Sequence, residues 1–381
     1  MKKEIKYLLL FCAVLPLFVS GQKGNKIMFS VINPSGIERK QELVSISWKD
    51  IISKYPLIDT ADFKVIDVIT KKEIPFQLEY RGETTIQNLL LQLDASANGT
   101  SEFYLHKGKP AVVNSKTFCR YVPERKDDFA WENDKIAFRM YGKALELTPK
   151  EMGYGIDVWV KRTERLILNE RYKRGEYHID HGDGLDYYHV GVSLGAGRMM
   201  PYFNDSIYYS GNYVNYKILD NGPLRSTFQL MYNEWEVAGR RVKVINTISL
   251  DAGSQLNRVE VNYSWGNDTA AMPVVVGIIK RKDPGTMLLD EQKGIMGYWE
   301  PEHGQDGTIG VGSIILSPLV KMKVTNEQLL AQTFVRNSTP FVYYTGAAWN
   351  KAGLITKAQA WFNYLQLFQN QLQYPLQVKF L

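Results

Sequence analysis

Residues 226–250 read STFQLMYNEWEVAGRRVKVINTISL, two β-branched, partly alternating arms on either side of Ala238-Gly239. A two-residue turn signal between such arms is typical of a long antiparallel hairpin. Similar runs return downstream, at Arg258 to Trp265, Val274 to Lys280, Thr308 to Leu316 and Phe341 to Thr345. So many long antiparallel strands predict one large β-supersandwich over residues 116–381.

Shorter strands precede this region and predict an N-terminal β-sandwich unit over residues 22–115. They are expected at Ile27 to Ile32, Glu42 to Trp48, Phe63 to Ile69, Phe76 to Tyr80, Asn88 to Leu93 and Glu102 to Leu105. Helical spacing is clear only near the C-terminus, at Trp361, Tyr364, Leu365, Phe368 and Leu372. A last short strand is expected over residues 375–381, so the fold class is mainly β with few helices.

Residues 1–21 have the pattern of a cleavable secretory signal: Lys2, Lys3 and Lys6 precede an apolar run from Leu8 to Val19. That run is shorter than the roughly 20 residues that span a bilayer, so no transmembrane segment is expected after cleavage. The predicted location is periplasmic or secreted. A formal net charge of +6, dispersed over 381 residues, gives no support to a nucleic-acid partner.

Three of the five histidines lie between positions 176 and 189, in EYHIDHGDGLDYYH. Histidine transfers protons readily near neutral pH, so His178, His181 and His189 are candidate catalytic residues. Between them stand Asp180, Asp183 and Asp186 with two glycines, and carboxylates on a sharply turning loop could hold a divalent cation such as calcium. The alternative is a polar surface loop in which Asp and Gly simply favour turns.

A second motif is ERKDDFAWEND at positions 124–134, followed by Arg139. An indole beside amide, carboxylate and guanidinium groups suits a sugar pocket, because the ring face meets C–H groups while the polar groups take hydroxyls or a uronate carboxylate. The substrate-binding candidates are Arg125, Trp131, Glu132 and Arg139, together with Tyr187 from the histidine-rich motif and Trp299 from the motif below. The alternative is that Trp131 belongs to the core and the charges lie at a solvated domain junction.

The third motif is YWEPEHG at positions 298–304, where Trp299 precedes three further candidate catalytic residues, Glu300, Glu302 and His303. Glycosidases work with two carboxyl groups, whereas polysaccharide lyases need a base at the carbon that loses a proton. The residues could serve either scheme, or the segment could be a turn between strands. Lys280-Arg281-Lys282 adds positive charge that is expected to be solvated.

Several stretches together resemble an uncharacterised secreted family of Bacteroidota, domain of unknown function 4861: residues 124–134 with 136–142, residues 155–161, residues 177–191, Asn221 to Arg225 and Ser249 to Ser254. The resemblance covers nearly the whole mature chain and implies a genetic context of polysaccharide utilisation, but it brings no catalytic role for any residue. The hairpin and the strand that follows it also resemble galactose-mutarotase-like sandwiches.

These observations lead to the hypothesis of an exported carbohydrate-active enzyme, a hydrolase or lyase that acts on oligosaccharides from complex glycans, uronate-containing ones among them. In this picture the three motifs converge on a concave face that binds an oligosaccharide or polysaccharide. The alternatives are a non-catalytic glycan-binding protein and a mutarotase-type sugar isomerase.

Overall fold

The computed structural model describes residues 27–317 and 321–381, so the predicted secretory signal lies outside the described residues. Alternating, β-branched sequence forms most of the structure, and the described part contains three α-helices. The predicted fold class, mainly β with a helix near the C-terminus, is confirmed. None of the helices in these residues is long and apolar enough to cross a bilayer.

Two small sheets pack face to face in the first part of the chain, around a core that includes Phe29, Val31, Leu91 and Phe103. Their elements are β1 (Met28–Ile32), β2 (Arg39–Ser47), α1 (Trp48–Lys54), β3 (Phe63–Asp67), β4 (Phe76–Glu79), β5 (Asn88–Ala95) and β6 (Thr100–Lys107).

The second part is larger and continues the antiparallel pattern. Its elements are β7 (Thr117–Val122), β8 (Asp128–Asn133), β9 (Ile136–Met140), β10 (Asp157–Val160), α2 (Leu168–Arg174), β11 (Ala196–Phe203), β12 (Ser206–Ile207), β13 (Asn215–Asn221), β14 (Arg225–Met231), β15 (Trp235–Val237), β16 (Arg240–Asp251), β17 (Leu256–Trp265), β18 (Met272–Ile279), β19 (Thr286–Asp290), β20 (Ile295–Trp299), β21 (Ile309–Ile314), β22 (Lys321–Val324), β23 (Gln328–Val335), β24 (Phe341–Trp349), α3 (Ala358–Gln373) and β25 (Gln377–Phe380).

The predicted hairpin lies near one edge of a nine-stranded sheet, ordered β13-β14-β16-β17-β24-β21-β20-β19 with β15 paired to β16. Ala238 and Gly239 both have positive φ, 46° and 83°, as a tight two-residue turn requires. A five-stranded sheet, β12-β11-β18-β23-β22, packs against one face. The Tyr263 and Tyr343 hydroxyls donate across the core to carbonyls of β11, at 3.0 and 2.9 Å. A third sheet, β10-β9-β8-β7, packs against the same core.

The C-terminal segment packs against the first strand of the described chain. Helix α3 lies against the other face of the nine-stranded sheet, over β20 and β21. Strand β25 then pairs with β1, with Phe380 opposite Phe29, and so becomes an edge strand of the first small sheet. The predicted last strand is confirmed, and the two ends of the described chain lie side by side.

Candidate functional site

Residues from distant parts of the chain meet at one end of the sandwich, where several strands finish. Glu300 comes directly after β20, and Arg281 follows β18 of the facing sheet by two positions. The Arg281 guanidinium donates from Nε to Glu300 Oε1 at 2.7 Å and from Nη1 to the His189 carbonyl at 2.7 Å. This arginine therefore ties the turn after β20 to the histidine-rich segment.

We call this group the Glu300 cluster and define it as Tyr187, Tyr188, Arg281, Glu300 and His303. The Tyr187 and His303 rings stack with centroids 5.3 Å apart. The guanidinium of Arg281 lies over the Tyr188 ring at 4.7 Å. His303 is largely exposed, and its Nδ1 lies 3.0 Å from a carboxylate oxygen of Asp306. The cluster thus combines a carboxyl group, an imidazole and two phenols.

Glu300 is the unusual group of this cluster, because only 6% of its surface is exposed. Burial disfavours its charged form and raises the pKa of the carboxyl to about 7, although the positive charges of Arg281 and His303 oppose the shift. At neutral pH such a carboxyl exchanges a proton easily, which is what a general acid or base requires.

The Tyr187 and Tyr188 hydroxyls are both buried, and that of Tyr188 has no hydrogen-bond partner within the described part of the chain. For both, burial is the first cause that raises the pKa of the phenol and the nearby Glu300 charge is the second. Buried polar groups in folded proteins are normally satisfied, so the unpaired Tyr188 hydroxyl suggests that water or a ligand meets it there.

A second group lies next to the first, and we call it the arginine–aspartate cluster: Arg125, Asp128, Arg139, Asp157 and Asp186. The Arg139 guanidinium donates to Asp157 at 2.8 Å and to Asp186 at 3.0 Å. The guanidinium nitrogens of Arg139 and Arg125 stand 3.6 and 3.9 Å from the two Asp128 carboxylate oxygens. Burial raises the pKa of Asp128 to about 7. Gaps of this length suit a bridging water.

The two clusters are adjacent because one short segment, Asp186 to His189, contributes to both. Asp186 belongs to the arginine–aspartate cluster, and Tyr188 belongs to the Glu300 cluster. The charges of both Glu300 and Asp157 act on the buried Tyr188 hydroxyl and help to raise its pKa. Tyr188 therefore lies between the two groups of charges.

The structure brings many of the predicted residues together, although in two groups. Tyr187, Glu300 and His303 meet in the Glu300 cluster, which His189 joins through its backbone carbonyl. Arg125, Arg139 and Asp186 meet in the other cluster. His178 lies at its edge, with Nδ1 2.7 Å from the Asp186 carbonyl oxygen. His181 stands apart from both clusters, and its Nε2 lies 3.4 Å from a carboxylate oxygen of Glu176.

Three predicted sugar-binding residues have other surroundings. Trp131 has no exposed surface, and its indole N–H donates to Asn257 at 2.7 Å, so it is a core residue without a face free for a sugar. Glu132 is buried, pairs with Lys161 at 2.6 Å and accepts the Leu168 N–H at the start of α2. Trp299 alternates with Tyr298 along β20 and packs against α3, on the far face of the sheet from the Glu300 cluster.

Glu302 and the aspartates also differ from expectation. Glu302 is exposed, two positions beyond the buried Glu300. Asp180 pairs with Arg162, Asp183 lies 3.4 Å from Arg174, and Asp186 binds Arg139, so a different arginine takes each carboxylate. The described residues contain no group of three or more His, Cys, Asp or Glu side chains that could hold a metal ion. The calcium site predicted from the spacing is therefore not supported by this geometry.

The glycines of this loop form a turn rather than a cation site. The N–H groups of Gly182 and Gly184 both donate to Asp180 Oδ1 at 2.9 Å, which is the pattern of an Asx-type turn. Sequence reasoning also missed site residues, chiefly Asp128, Asp157, Tyr188 and Asp306. Arg281 was visible within a basic triplet, but the triplet gave no sign that its middle residue turns towards a buried carboxyl.

Comparisons with known proteins agree with this architecture. The model of a domain of unknown function, DUF4861, matches residues 31–378. Uncharacterized protein P7 of Formosa agariphila is 32% identical, over 97% of this chain and 98% of its own. Among solved structures, an alpha-mannosidase from Enterococcus faecalis V583 superposes with a TM-score of 0.52 at 11% identity, over 93% of this chain and 46% of that one.

A glycosyl hydrolase family 38 protein from Enterococcus faecalis gives a TM-score of 0.51, also at 11% identity, over 93% of this chain and 47% of its own. The chain thus spans about half the length of these solved proteins, and at this identity the likeness concerns the fold. The match to the family model and the relative of equal extent show that the chain belongs to the DUF4861 family.

Proposed function

We propose that the protein is an exported carbohydrate-active enzyme, a hydrolase or lyase, whose reaction centre is the Glu300 cluster. Its substrates would be oligosaccharides from complex glycans, uronate-containing ones among them, and its location periplasmic or secreted. The fold supports a carbohydrate substrate, since the solved proteins that share it include an alpha-mannosidase and a family 38 glycosyl hydrolase. The evidence for a particular reaction must come from the residues of the site, because one fold hosts many activities.

The buried carboxyl of Glu300 is the observation that carries this proposal. With a pKa near 7, it stays partly protonated at neutral pH and can give a proton to the oxygen of a leaving sugar. An exposed carboxylate with an ordinary pKa holds almost no proton at that pH. Arg281 fixes the orientation of the carboxyl through its 2.7 Å bond.

His303 supplies the second group that either reaction needs. Asp306 holds Nδ1 of the imidazole and leaves Nε2 to act as a proton acceptor. In a hydrolase, Nε2 would take a proton from the attacking water while Glu300 protonates the leaving oxygen. In a lyase, it would remove the proton next to the uronate carboxyl group, and Glu300 would again protonate the oxygen of the bond that breaks.

The test is a pair of isosteric substitutions in one turn. We expect Glu300→Gln to lower kcat by about 10² to 10⁴, the usual contribution of a general acid. Glu302→Gln removes an exposed carboxylate two residues away and should leave kcat within about twofold, because its effect on the cluster is screened by water. Turnover would be measured on a panel of neutral and uronate-containing oligosaccharides.

Product analysis separates the two reactions. Both reactions form new reducing ends, but only a lyase also forms an unsaturated sugar that absorbs in the ultraviolet. Equal turnover by Glu300→Gln and the parent protein, with unchanged melting temperature, would contradict the assignment of Glu300. Saturable binding without product on prolonged incubation would instead identify a glycan-binding protein.

A mutarotase-type isomerase is a second candidate, favoured by the pairing of a carboxyl with an imidazole rather than with a second carboxylate. Opening a sugar ring needs one acid and one base and breaks no glycosidic bond, so Glu300 and His303 would suffice. Polarimetry on free aldoses distinguishes this activity, because the rotation would relax faster with the parent protein than with Glu300→Gln.

A further inference from the structure

A groove of about 540 Å³ opens where the N-terminal unit, the nine-stranded sheet and α3 come together. One wall comes from β2, the second from the sheet face opposite the main core, and the third from α3. No lining residue belongs to the Glu300 cluster or to the arginine–aspartate cluster. Its volume is within the range of small-molecule sites.

Aromatic rings form one corner of this groove. Tyr344 and Phe368 meet edge to face with centroids 5.4 Å apart, and Tyr364 lies 6.1 Å from Phe368. All three rings are only partly buried, whereas the neighbouring Tyr343 points into the core. Ring faces beside hydrogen-bonding groups suit the C–H surface of a sugar.

The charges around the groove are balanced and already paired. They are Glu38, Lys40, Glu42, Arg225, Asp251 and Arg258, three of each sign. The Arg225 guanidinium donates two hydrogen bonds to the Asp251 carboxylate, at 2.5 and 2.8 Å. Arg258 donates to Glu260 at 3.0 Å. A polyanion or a polycation would find no uncompensated partner here, so the lining favours an uncharged ligand.

Two amide side chains remain available for a ligand. Gln41 lies on the β2 wall and Gln371 on the α3 wall, and neither side chain has a hydrogen-bond partner within residues 27–317 and 321–381. An amide donates and accepts at once, as a sugar hydroxyl does.

We propose that this groove is a second carbohydrate site, which binds a neutral sugar unit of a glycan away from the Glu300 cluster. The choice of ligand class rests on the proposed function. The groove would hold the glycan by an uncharged sugar unit while another unit of the same glycan reaches the Glu300 cluster. Binding in the groove would therefore raise the effective concentration of substrate at the reaction centre.

The experiment uses neutral trisaccharides that carry a photoreactive diazirine: mannotriose, cellotriose and xylotriose. After irradiation, the labelled peptides of the full protein are identified by mass spectrometry. We expect labelling of the tryptic peptide 358–379, suppressed by an excess of the unmodified sugar. Gln371→Trp, which fills the groove from α3, should reduce that labelling at least tenfold.

Gln366→Trp is the matched control, because Gln366 lies on the exposed side of the same helix and does not line the groove. It should leave the labelling unchanged. Tyr344→Ala, which removes one aromatic wall, gives an independent second variant, and the melting temperature of each protein checks its folding. Labelling confined to residues 299–306, labelling insensitive to both groove variants, or no labelling by any of the three sugars would overturn the proposal.

The same experiment separates this site from the proposed reaction centre. Glu300→Gln should keep the labelling of the groove while it loses turnover. If no oligosaccharide is turned over and the groove is still labelled, the enzymatic function fails and the second site stands. If turnover depends on Glu300 and the groove is never labelled, the reverse holds.

Discussion

Glu300 and Glu302 have the same carboxyl group, two positions apart, and differ in what surrounds them. Burial raises the pKa of Glu300 to about 7, and the positive charge of Arg281 is the strongest influence in the other direction. If Glu300 must donate a proton, kcat falls as the pH rises through about 7. If it must accept one, kcat rises over the same interval.

Arg281→Gln gives a directional test of this balance. Removal of the guanidinium charge should raise the pKa of Glu300 further, so the limb of the kcat profile that Glu300 controls should move to higher pH in either scheme. The profile would be measured between pH 5 and 9 for the parent protein and the variant. A limb that moved to lower pH, or stayed in place, would mean that another group controls it.

Asp128 makes stability depend on pH in a defined direction. Burial raises its pKa to about 7 in the folded protein, above the value near 4 expected for an unfolded chain. The contribution of Asp128 to the free energy of unfolding is therefore fully present below about pH 4, and it is lost as the pH rises through about 7. Asp128→Asn should remove a loss of about 4 kcal/mol in the free energy of unfolding between these limits.

Urea unfolding at pH 5 and pH 8 measures this effect, with Glu302→Gln as an exposed control. The free energy of unfolding should fall less between the two pH values in Asp128→Asn than in the parent protein. An equal or steeper fall would mean that Asp128 is ionised at pH 5 already.

Residue types in the sequence made Glu300 and His303 candidates, but they could not place the tryptophans around them. Alternation along β20 puts Tyr298 and Trp299 on opposite faces, yet both faces of this sheet are covered, one by the five-stranded sheet and the other by α3. Only the tertiary contacts decide which face meets the site. Trp131 was misplaced for the same reason, since a buried indole and a binding indole look alike in a sequence.

At the scale of elements, α3 packs closely on the nine-stranded sheet because glycines of the sheet face it. Its spacing of apolar residues predicted it well, and the structure confirms it at Ala358–Gln373. The sequence pattern did not reveal why the helix lies where it does. Gly297, Gly310 and Gly312 of β20 and β21 face it, and a Cβ on Gly312 would stand 2.6 Å from a methyl carbon of Leu365.

Gly312→Ala should therefore lower the free energy of unfolding by about 1 to 3 kcal/mol through overpacking. In the double variant with Leu365→Ala the loss should be smaller than the sum of the two single losses, because the truncated side chain makes room for the new methyl group. Gly266→Ala, where a Cβ meets nothing within 4 Å, is the control. Additive losses in urea unfolding would show that Leu365 is not the obstacle.

At the scale of the whole molecule, polar contacts join the N-terminal unit to the large sandwich along β4 and the loop that follows it. Asp220 of β13 accepts the backbone N–H groups of Tyr80 and Arg81, both at 2.7 Å. Gln77 bonds to the backbone of Leu224 and Arg225. The separate N-terminal unit predicted from the sequence stays a prediction, and this junction is the place to test it.

Asp220→Ala leaves two backbone donors without their partner, at a cost of about 1 to 3 kcal/mol each if water does not replace it. We expect faster hydrogen exchange in β4 and earlier proteolysis between residues 80 and 88. Glu83→Ala, an exposed change in the same loop, should alter neither. Unchanged exchange in β4 after Asp220→Ala would mean that the two hydrogen bonds to Asp220 do not hold this strand in place.

The pairing of β1 with β25 has a consequence for the order of folding. Phe29 and Phe380 are neighbours in one sheet although nearly the entire chain separates them. A ribosome releases the first strand long before the last, so β1 keeps an unpaired edge until synthesis is complete. Contacts so distant in sequence form slowly, and an open edge in the meantime invites aggregation. The first sheet that the chain begins is thus among the last that it can finish.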